Sequence, residues 1–303
     1  MMDDSNQFPE SSSGHPASPA RQSPWRIANL KAALKFLFPL SRKENLDPGI
    51  ARLDFVPYVV PAGLIVGLIW VGVFRLGWWL YAETGSLRLV PALMVILVEC
   101  LVTGPFLALG LARTIHILTG NEPRVPGNDR LTPLSPVGTL MLCLIVLSEF
   151  VLILSIEHRE GWWPPPDDWR SYFNFMYPRP IFRPLLLAPL WGRWGILLAA
   201  TIGRTDRNAD AQTLALNRGM SPGRLLRNAL LPVVLTAIYC SRSRNFLTGV
   251  LIGMIVFALT YLVTVAMARR GGGQSRQSLF AAGQVAQLAF LAVYKGCWRL
   301  IDA

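Results

Sequence analysis

Seven apolar stretches divide the chain, at about 55–82, 89–112, 134–156, 184–203, 225–240, 246–268 and 278–298. A membrane-crossing helix needs roughly 20 such residues. The pattern therefore predicts an all-α fold, a polytopic integral membrane helix bundle of six or seven spans. The stretch 225–240 is short and contains Pro232, which marks a broken or partly inserted helix. The stretch 278–298 carries Gln284 and Gln287 and reads as a helix buried within the bundle. Ahead of the spans, Arg26 to Leu40 alternates basic residues with Leu30, Ala33, Leu34, Phe36 and Leu37. This predicts a basic amphipathic interfacial helix within residues 26–45, ended by Pro39. Residues 1–25 are rich in Ser, Pro and Asp without an apolar period, and read as a disordered tail with no cleavable apolar region. The transmembrane domain is then 55–303.

Composition agrees with a membrane protein. Of 303 residues, 52% are hydrophobic and 16% charged, against about a quarter charged in soluble domains. A net charge of +11 raises the question of nucleic acid. The basic residues, however, collect in alternate loops: Lys31, Arg42 and Arg52; Arg113, Arg124 and Arg130; Arg204, Arg218 and Arg227; Arg269, Arg270 and Arg276. By the positive-inside rule these loops and the N-terminus are cytoplasmic, in a multi-pass protein of the cell (inner) membrane. Its expected surroundings are membrane lipids, with no nucleic-acid partner. Arg242 and Arg244 run against this orientation. The four cysteines and three histidines have no metal-ligand spacing. No internal repeat is visible, which weighs against a transporter.

Ionisable groups at membrane depth are costly and mark candidate functional positions. Here they are Glu99, Arg113, His116, Glu149 and Arg193. Arg193 lies well inside an apolar segment, in Ala188-Pro189-Leu190-Trp191-Gly192-Arg193-Trp194. It needs an anion: a carboxylate such as Glu99, or a bound phosphate.

Three further stretches carry small and polar residues. Thr103-Gly104-Pro105 leads into Gly110-Leu111-Ala112-Arg113-Thr114-Ile115-His116, which alone reads as a helix end. Leu134-Ser135-Pro136-Val137-Gly138-Thr139 reads as a helix start with a hydroxyl cap. Gly272-Gly273-Gln274-Ser275-Arg276-Gln277 is followed by Ala281, Gln284 and Gln287, a polar face packed in the bundle. Together with the Arg193 segment, and in this order, they resemble the cobalamin 5′-phosphate synthase family, the membrane-bound adenosylcobinamide-GDP ribazoletransferases. The resemblance runs from about Leu30 to Leu291.

The resemblance implies a Mg²⁺-dependent phosphotransfer that joins adenosylcobinamide-GDP to α-ribazole or its phosphate and releases GMP, late in cobalamin biosynthesis. It implies substrate-binding roles for Arg193, Thr103, Gly104, Gly110, Ser135, Gly138, Gly272, Gly273, Gln277, Gln284 and Gln287. It also exposes a difference. The family's Asp positions in the Thr-Gly-Gly signature hold Leu109, Arg113 and His116 here, and the Asp opening the third stretch holds Leu134. The carboxylates of the last stretch are Gln277, Gln284 and Gln287. The family's metal positions therefore hold no metal ligand of the expected kind. The leading expectation is a family framework with reduced or lost catalysis, a pseudoenzyme candidate, with magnesium as cofactor only where activity survives.

Three readings diverge from there. A working transferase with relocated acids requires Glu99 or Glu149 to meet Arg193 and the Gln face, making these three the catalytic candidates. A non-catalytic relative binds a corrinoid or other phosphorylated small molecule, or assembles with a membrane-enzyme partner. A small-molecule permease requires a through-going polar path and pseudo-symmetric halves.

Overall fold

Apolar runs punctuated by Gly and Pro fold here into helices and little else. The computed structural model describes residues 27–37, 54–81, 89–119, 134–156, 181–205, 209–240, 246–271 and 273–297. Among them lie ten helices: α1 (Ile27–Leu37), α2 (Val56–Tyr81), α3 (Leu89–Val102), α4 (Phe106–Leu118), α5 (Pro136–Ser155), α6 (Phe182–Thr201), α7 (Ala211–Gly219), α8 (Pro222–Cys240), α9 (Phe246–Gly271) and α10 (Arg276–Gly296). The one β-contact among the described residues is an isolated bridge between Thr205 and Gln274. The expected tail over 1–25, the continuation of the first helix past Leu37 and the loop 157–180 lie outside the described residues.

Among the described residues four helices are long and apolar enough to cross a membrane: α2, α5, α6 and most of α9. A fifth span results if α3 and α4 count as one, bent by 83°. This falls short of the expected six or seven for physical reasons. The stretch 89–112 is not one straight helix, because Gly104-Pro105 breaks it. α8 opens with Arg224 and Arg227, and α10 carries Gln277, Gln284 and Gln287, so neither is apolar enough to qualify by composition.

α6 is the axis of the bundle. Every residue from Phe182 to Ala200 is buried, and its main neighbours are α10 and α2. A helix enclosed on all sides by protein can carry groups that lipid would not tolerate. This accounts for Arg193 and Pro189 in its middle. The outer helices present apolar side chains instead: Leu68 on α2, Leu97 on α3, Leu144 on α5, Leu226 on α8 and Leu262 on α9 are all exposed.

Glycines let α6 be enclosed so closely. A Cβ at Gly63 of α2 would lie 2.8 Å from the Pro189 carbonyl oxygen, and one at Gly67 would run into the backbone of Leu186. On the other flank, a Cβ at Gly195 would lie 2.8 Å from the Ala282 carbonyl oxygen. Small residues four apart, as at Gly63 and Gly67, are the usual device for backbone contact between membrane helices.

The first helix docks on the bundle by one face. Asn29, Ala32, Ala33, Phe36 and Leu37 are buried while Ile27 and Lys31 are exposed. Arg276, at the start of α10, holds it there. Its guanidinium donates to the Phe36 carbonyl at 2.9 Å. It also stacks over the rings of Phe36 and Phe280 at 5.2 and 5.4 Å and pairs with Asp210 at 3.6 Å.

Replacing Gly67 by Val is expected to lower stability by about 1–3 kcal/mol, the usual cost of overpacking. Gly72→Ala, on the same helix with nothing within 4 Å, should be close to neutral. Thermal unfolding of both variants in detergent checks the contrast.

Candidate functional site

At one level inside the bundle four helices each contribute polar side chains to a common cluster. Glu99 lies in the last turn of α3 and Glu149 in α5. Arg193 comes from α6, and Gln284 and Gln287 from α10. All five are buried, with Arg193 and Gln287 at 0% exposure.

Gln287 is the hub. Its Nε2 donates to Glu99 Oε1 at 3.0 Å and also to Glu149 Oε1, so one amide nitrogen serves two carboxyl groups. Its Oε1 accepts from Arg193 Nη1 at 3.2 Å. Gln284 Nε2 donates to the other oxygen of Glu149 at 3.0 Å. The spacing of 284 and 287 puts both amides on one face of α10. Gly192, next to the arginine, keeps the space open: a Cβ there would lie 3.0 Å from Gln287 Oε1.

Glu99 owes its position to the break between α3 and α4. Gly104 sits at φ +66, in the left-handed region where glycine alone is unstrained. Pro105 disfavours helix at the residue before it. The Thr103 hydroxyl donates to the Glu99 carbonyl at 2.9 Å, closing the last turn of α3. A cavity of ≈ 20 Å³ opens at this break, lined by Glu99, Gly104, Pro105, Glu149, Gln284 and Cys100 among others.

A second grouping forms where α4 ends and α5 begins. His116 Nδ1 lies 3.4 Å from the Ser135 hydroxyl, which also caps α5 by accepting from the Gly138 amide at 3.1 Å. Gly110 lets α4 approach α10, since a Cβ there would lie 2.7 Å from the Gln277 carbonyl oxygen. Leu134 packs over Gly138. At the start of α10, Gly273 adopts φ +147. Gln274 donates to the Ile202 carbonyl at 2.8 Å, and Ser275 and Ser278 form a capping box. Gly272 lies outside the described residues.

The candidate residues thus divide. Glu99, Glu149, Arg193, Gln284 and Gln287 meet in the buried centre, with Thr103 and Gly104 at its rim. Gly110, His116, Ser135, Gly138 and Gln277 lie where α4, α5 and α10 pack together, beside Arg113 of α4. Ser135, Gly138 and Gly110 have visible structural tasks of capping and close packing. Arg276, one of the basic loop residues, is engaged by Phe36 and Asp210. Arg193 reaches its carboxylates through an amide, not by the direct pair with Glu99 expected above. Gln287 as the joint between three helices was not foreseen; its three-residue spacing from Gln284 was the available signal.

Over residues 30–294 the chain matches the family model of CobS, cobalamin-5-phosphate synthase. It belongs to that family. No curated protein and no solved structure matches it.

Magnesium takes hard oxygen ligands, usually one or two carboxylates, and keeps several of its waters. The positions at which the resemblance expects those carboxylates hold Leu109, Arg113, His116, Leu134 and Gln277. Among the described residues no group of three or more His, Cys, Asp or Glu is placed to hold a metal ion. The buried centre has two carboxylates, but three of their oxygens already accept from the amides of Gln284 and Gln287. The residues present do not fit hydrated magnesium.

Arg193→Met would leave two buried carboxyl groups facing each other without their cation. Removing the donor also leaves the buried Gln287 Oε1 without its partner, at a cost of about 1–3 kcal/mol, and a loss of at least that order is expected here. Arg193→Lys, which keeps the charge, should recover part of it. Denaturant unfolding of the detergent-solubilised variants measures both.

Proposed function

We propose that this CobS-family protein serves the ribazole-transfer step of cobalamin biosynthesis in a form whose magnesium-dependent catalysis is strongly reduced. It does so in the cell (inner) membrane with its N-terminus cytoplasmic, the orientation favoured by the basic loops. Family membership supports a ribazoletransferase-like role. The observation that carries the reduced activity is the chemistry at the α4–α5–α10 junction. Phosphoryl transfer rests on positioning and on neutralising charge at the transferring group. Here the positions for that task hold leucines, an arginine, a histidine and an amide.

Cationic Arg113, with His116 nearby, favours a phosphorylated ligand over a metal at this end of the bundle. Binding of a corrinoid diphosphate, or of another phosphorylated small molecule, can therefore outlast the transfer itself. A binding role of this kind also leaves a place for a membrane-enzyme partner that carries out the chemistry.

A second reading has one specific observation in its favour. Glu99 and Glu149 meet Arg193, Gln284 and Gln287 in one cluster, as a transferase with relocated acids requires. In that reading Glu99 and Glu149 carry the charge that α10 lacks.

One assay separates the two. The purified protein is given adenosylcobinamide-GDP, α-ribazole phosphate and Mg²⁺, and GMP release is followed beside a family member that keeps its carboxylates. Loss of a single charge-stabilising group costs about a hundredfold to a thousandfold in rate. Release at least that far below the control is expected, with no further fall in Glu99→Gln or Glu149→Gln. Release at the control's rate, abolished by either substitution, would overturn the proposal and establish the second reading.

A further inference from the structure

One face of α8 is left uncovered along most of the helix. Leu226, Leu230, Val234 and Ile238 recur at every fourth residue and are all exposed, Leu226 at 70% and Ile238 at 47%. At about 1.5 Å of rise per residue they cover about 18 Å. One leaflet of a bilayer holds roughly 15 Å of hydrocarbon. The buried side chains of α8, Pro232, Thr236, Ala237 and Cys240, all lie in its second half. The first half rests on the bundle through the half-buried Leu225 and Ala229.

Arg227 stands at the head of this stripe. It is exposed, and it shares a helix face with Leu230 and Val234, three and seven residues on. Among the described residues no hydrogen bond or ion pair holds its guanidinium. Arg224 beside it is different: it pairs with Asp54 at 3.0 Å and donates to the Gly219 carbonyl at 2.8 Å. One turn ahead of Arg227, on the same face, a Cβ at Gly223 would meet nothing within 4 Å. A group with five hydrogen-bond donors therefore stands beside open space, where an apolar stripe ends.

The charge at this end of the bundle has one sign. The Gln274 amide donates to the Arg204 carbonyl at 2.8 Å, joining the end of α6 to the start of α10. A Cβ at Gly203 would lie 3.2 Å from Ala268, in the last turns of α9. Arg204, Arg218, Arg269 and Arg270 are exposed here. The described acids of this end, Asp54 and Asp210, are taken by Arg224 and Arg276. A soluble anion or a nucleic acid would answer the charge alone, and neither accounts for an arginine at the head of an exposed apolar stripe. A phospholipid answers both. Its acyl chain matches the stripe, its phosphate matches the guanidinium, and its headgroup matches the space over Gly223. Arginines gathered around the headgroup favour one with net negative charge.

We propose that the outward face of α8 from Gly223 to Ile238 is a binding site for one anionic phospholipid, with the lipid phosphate held by Arg227 and an acyl chain laid along Leu230, Val234 and Ile238. The site is independent of ribazole transfer, and its occupancy can be read without any catalytic assay.

The test uses the full chain in detergent micelles that contain equal amounts of phosphatidylglycerol and phosphatidylcholine with the same acyl chains. Native mass spectrometry counts the lipids each protein retains. One basic side chain near a membrane surface favours an anionic lipid about fivefold. The wild type is expected to retain one phosphatidylglycerol, at least about fivefold over phosphatidylcholine. Arg227→Gln is expected to lose that preference and Arg227→Lys to keep most of it. Gly223→Leu fills the space beside Arg227 without changing the charge and is expected to lower the preference too. It decides together with the wild type should Arg227→Gln not fold. Equal retention of the two lipids by the wild type would overturn the proposal, as would a preference that survives Arg227→Gln. Release of the lipid by inorganic phosphate, beyond that caused by chloride at the same ionic strength, would also overturn it and assign Arg227 to a soluble anion. A dimer that retains no lipid would overturn it as well, and give the stripe to a second copy of the chain.

Discussion

Arg193 has to be satisfied in the middle of a membrane bundle, and much of the architecture follows from that requirement. Lipid offers a guanidinium nothing, so its helix must be enclosed by protein. Enclosure requires neighbours at backbone distance, which is what Gly63 and Gly67 on one flank and Gly195 on the other permit. It also requires acceptors at the level of the arginine. Those come from α10, whose own polar face could not be buried without donors and acceptors opposite it. α6 and α10 therefore solve each other's problem, and α3 and α5 complete the solution by bringing carboxyl groups to the amides.

The hub of that arrangement is neutral, and its neutrality matters. An amide can donate through nitrogen and accept through oxygen at once. Gln287 uses both ends, donating to Glu99 and Glu149 and accepting from Arg193. A carboxylate in its place could only accept, and would add a third negative charge around one arginine. The glutamines that replace acids on α10 and the glutamates on α3 and α5 are thus parts of one electrostatic arrangement. The charge sits on the flanking helices while α10 carries the joint.

Much of this was legible in the sequence, but not evenly. The spans at α2, α5, α6 and α9 follow from long apolar runs, which report on transfer out of water regardless of tertiary context. The reading of α10 as an interior helix followed from its amides. The bend between α3 and α4 was hidden because Leu101, Val102, Phe106 and Leu107 keep both sides of it apolar, and hydropathy does not register direction. Gly104-Pro105 was the local sign of a break. Glu99, Glu149 and Arg193 were marked out singly by the cost of burying charge. Their common location depends on how four helices pack, which no local pattern states. The 3.2 Å contact of Arg193 with Gln287, in place of a carboxylate, is a detail of the same kind.

The two polar groupings share α5 and α10 but face different tasks. The buried centre is held by mutual hydrogen bonds. At the α4–α5–α10 junction the ionisable side chains named so far, Arg113 and His116, are basic. A metal-dependent phosphotransferase needs negative charge at the place where its substrate's phosphates arrive, so that a divalent ion can bridge protein and ligand. In this chain the negative charge lies within the bundle, behind the helix break, and the junction offers cations instead. In the proposed reading a phosphorylated ligand would replace a metal ion at Arg113, which would repel that ion. The proposed turn from metal-assisted transfer toward binding rests on this separation of charge between the two places more than on the loss of any single carboxylate.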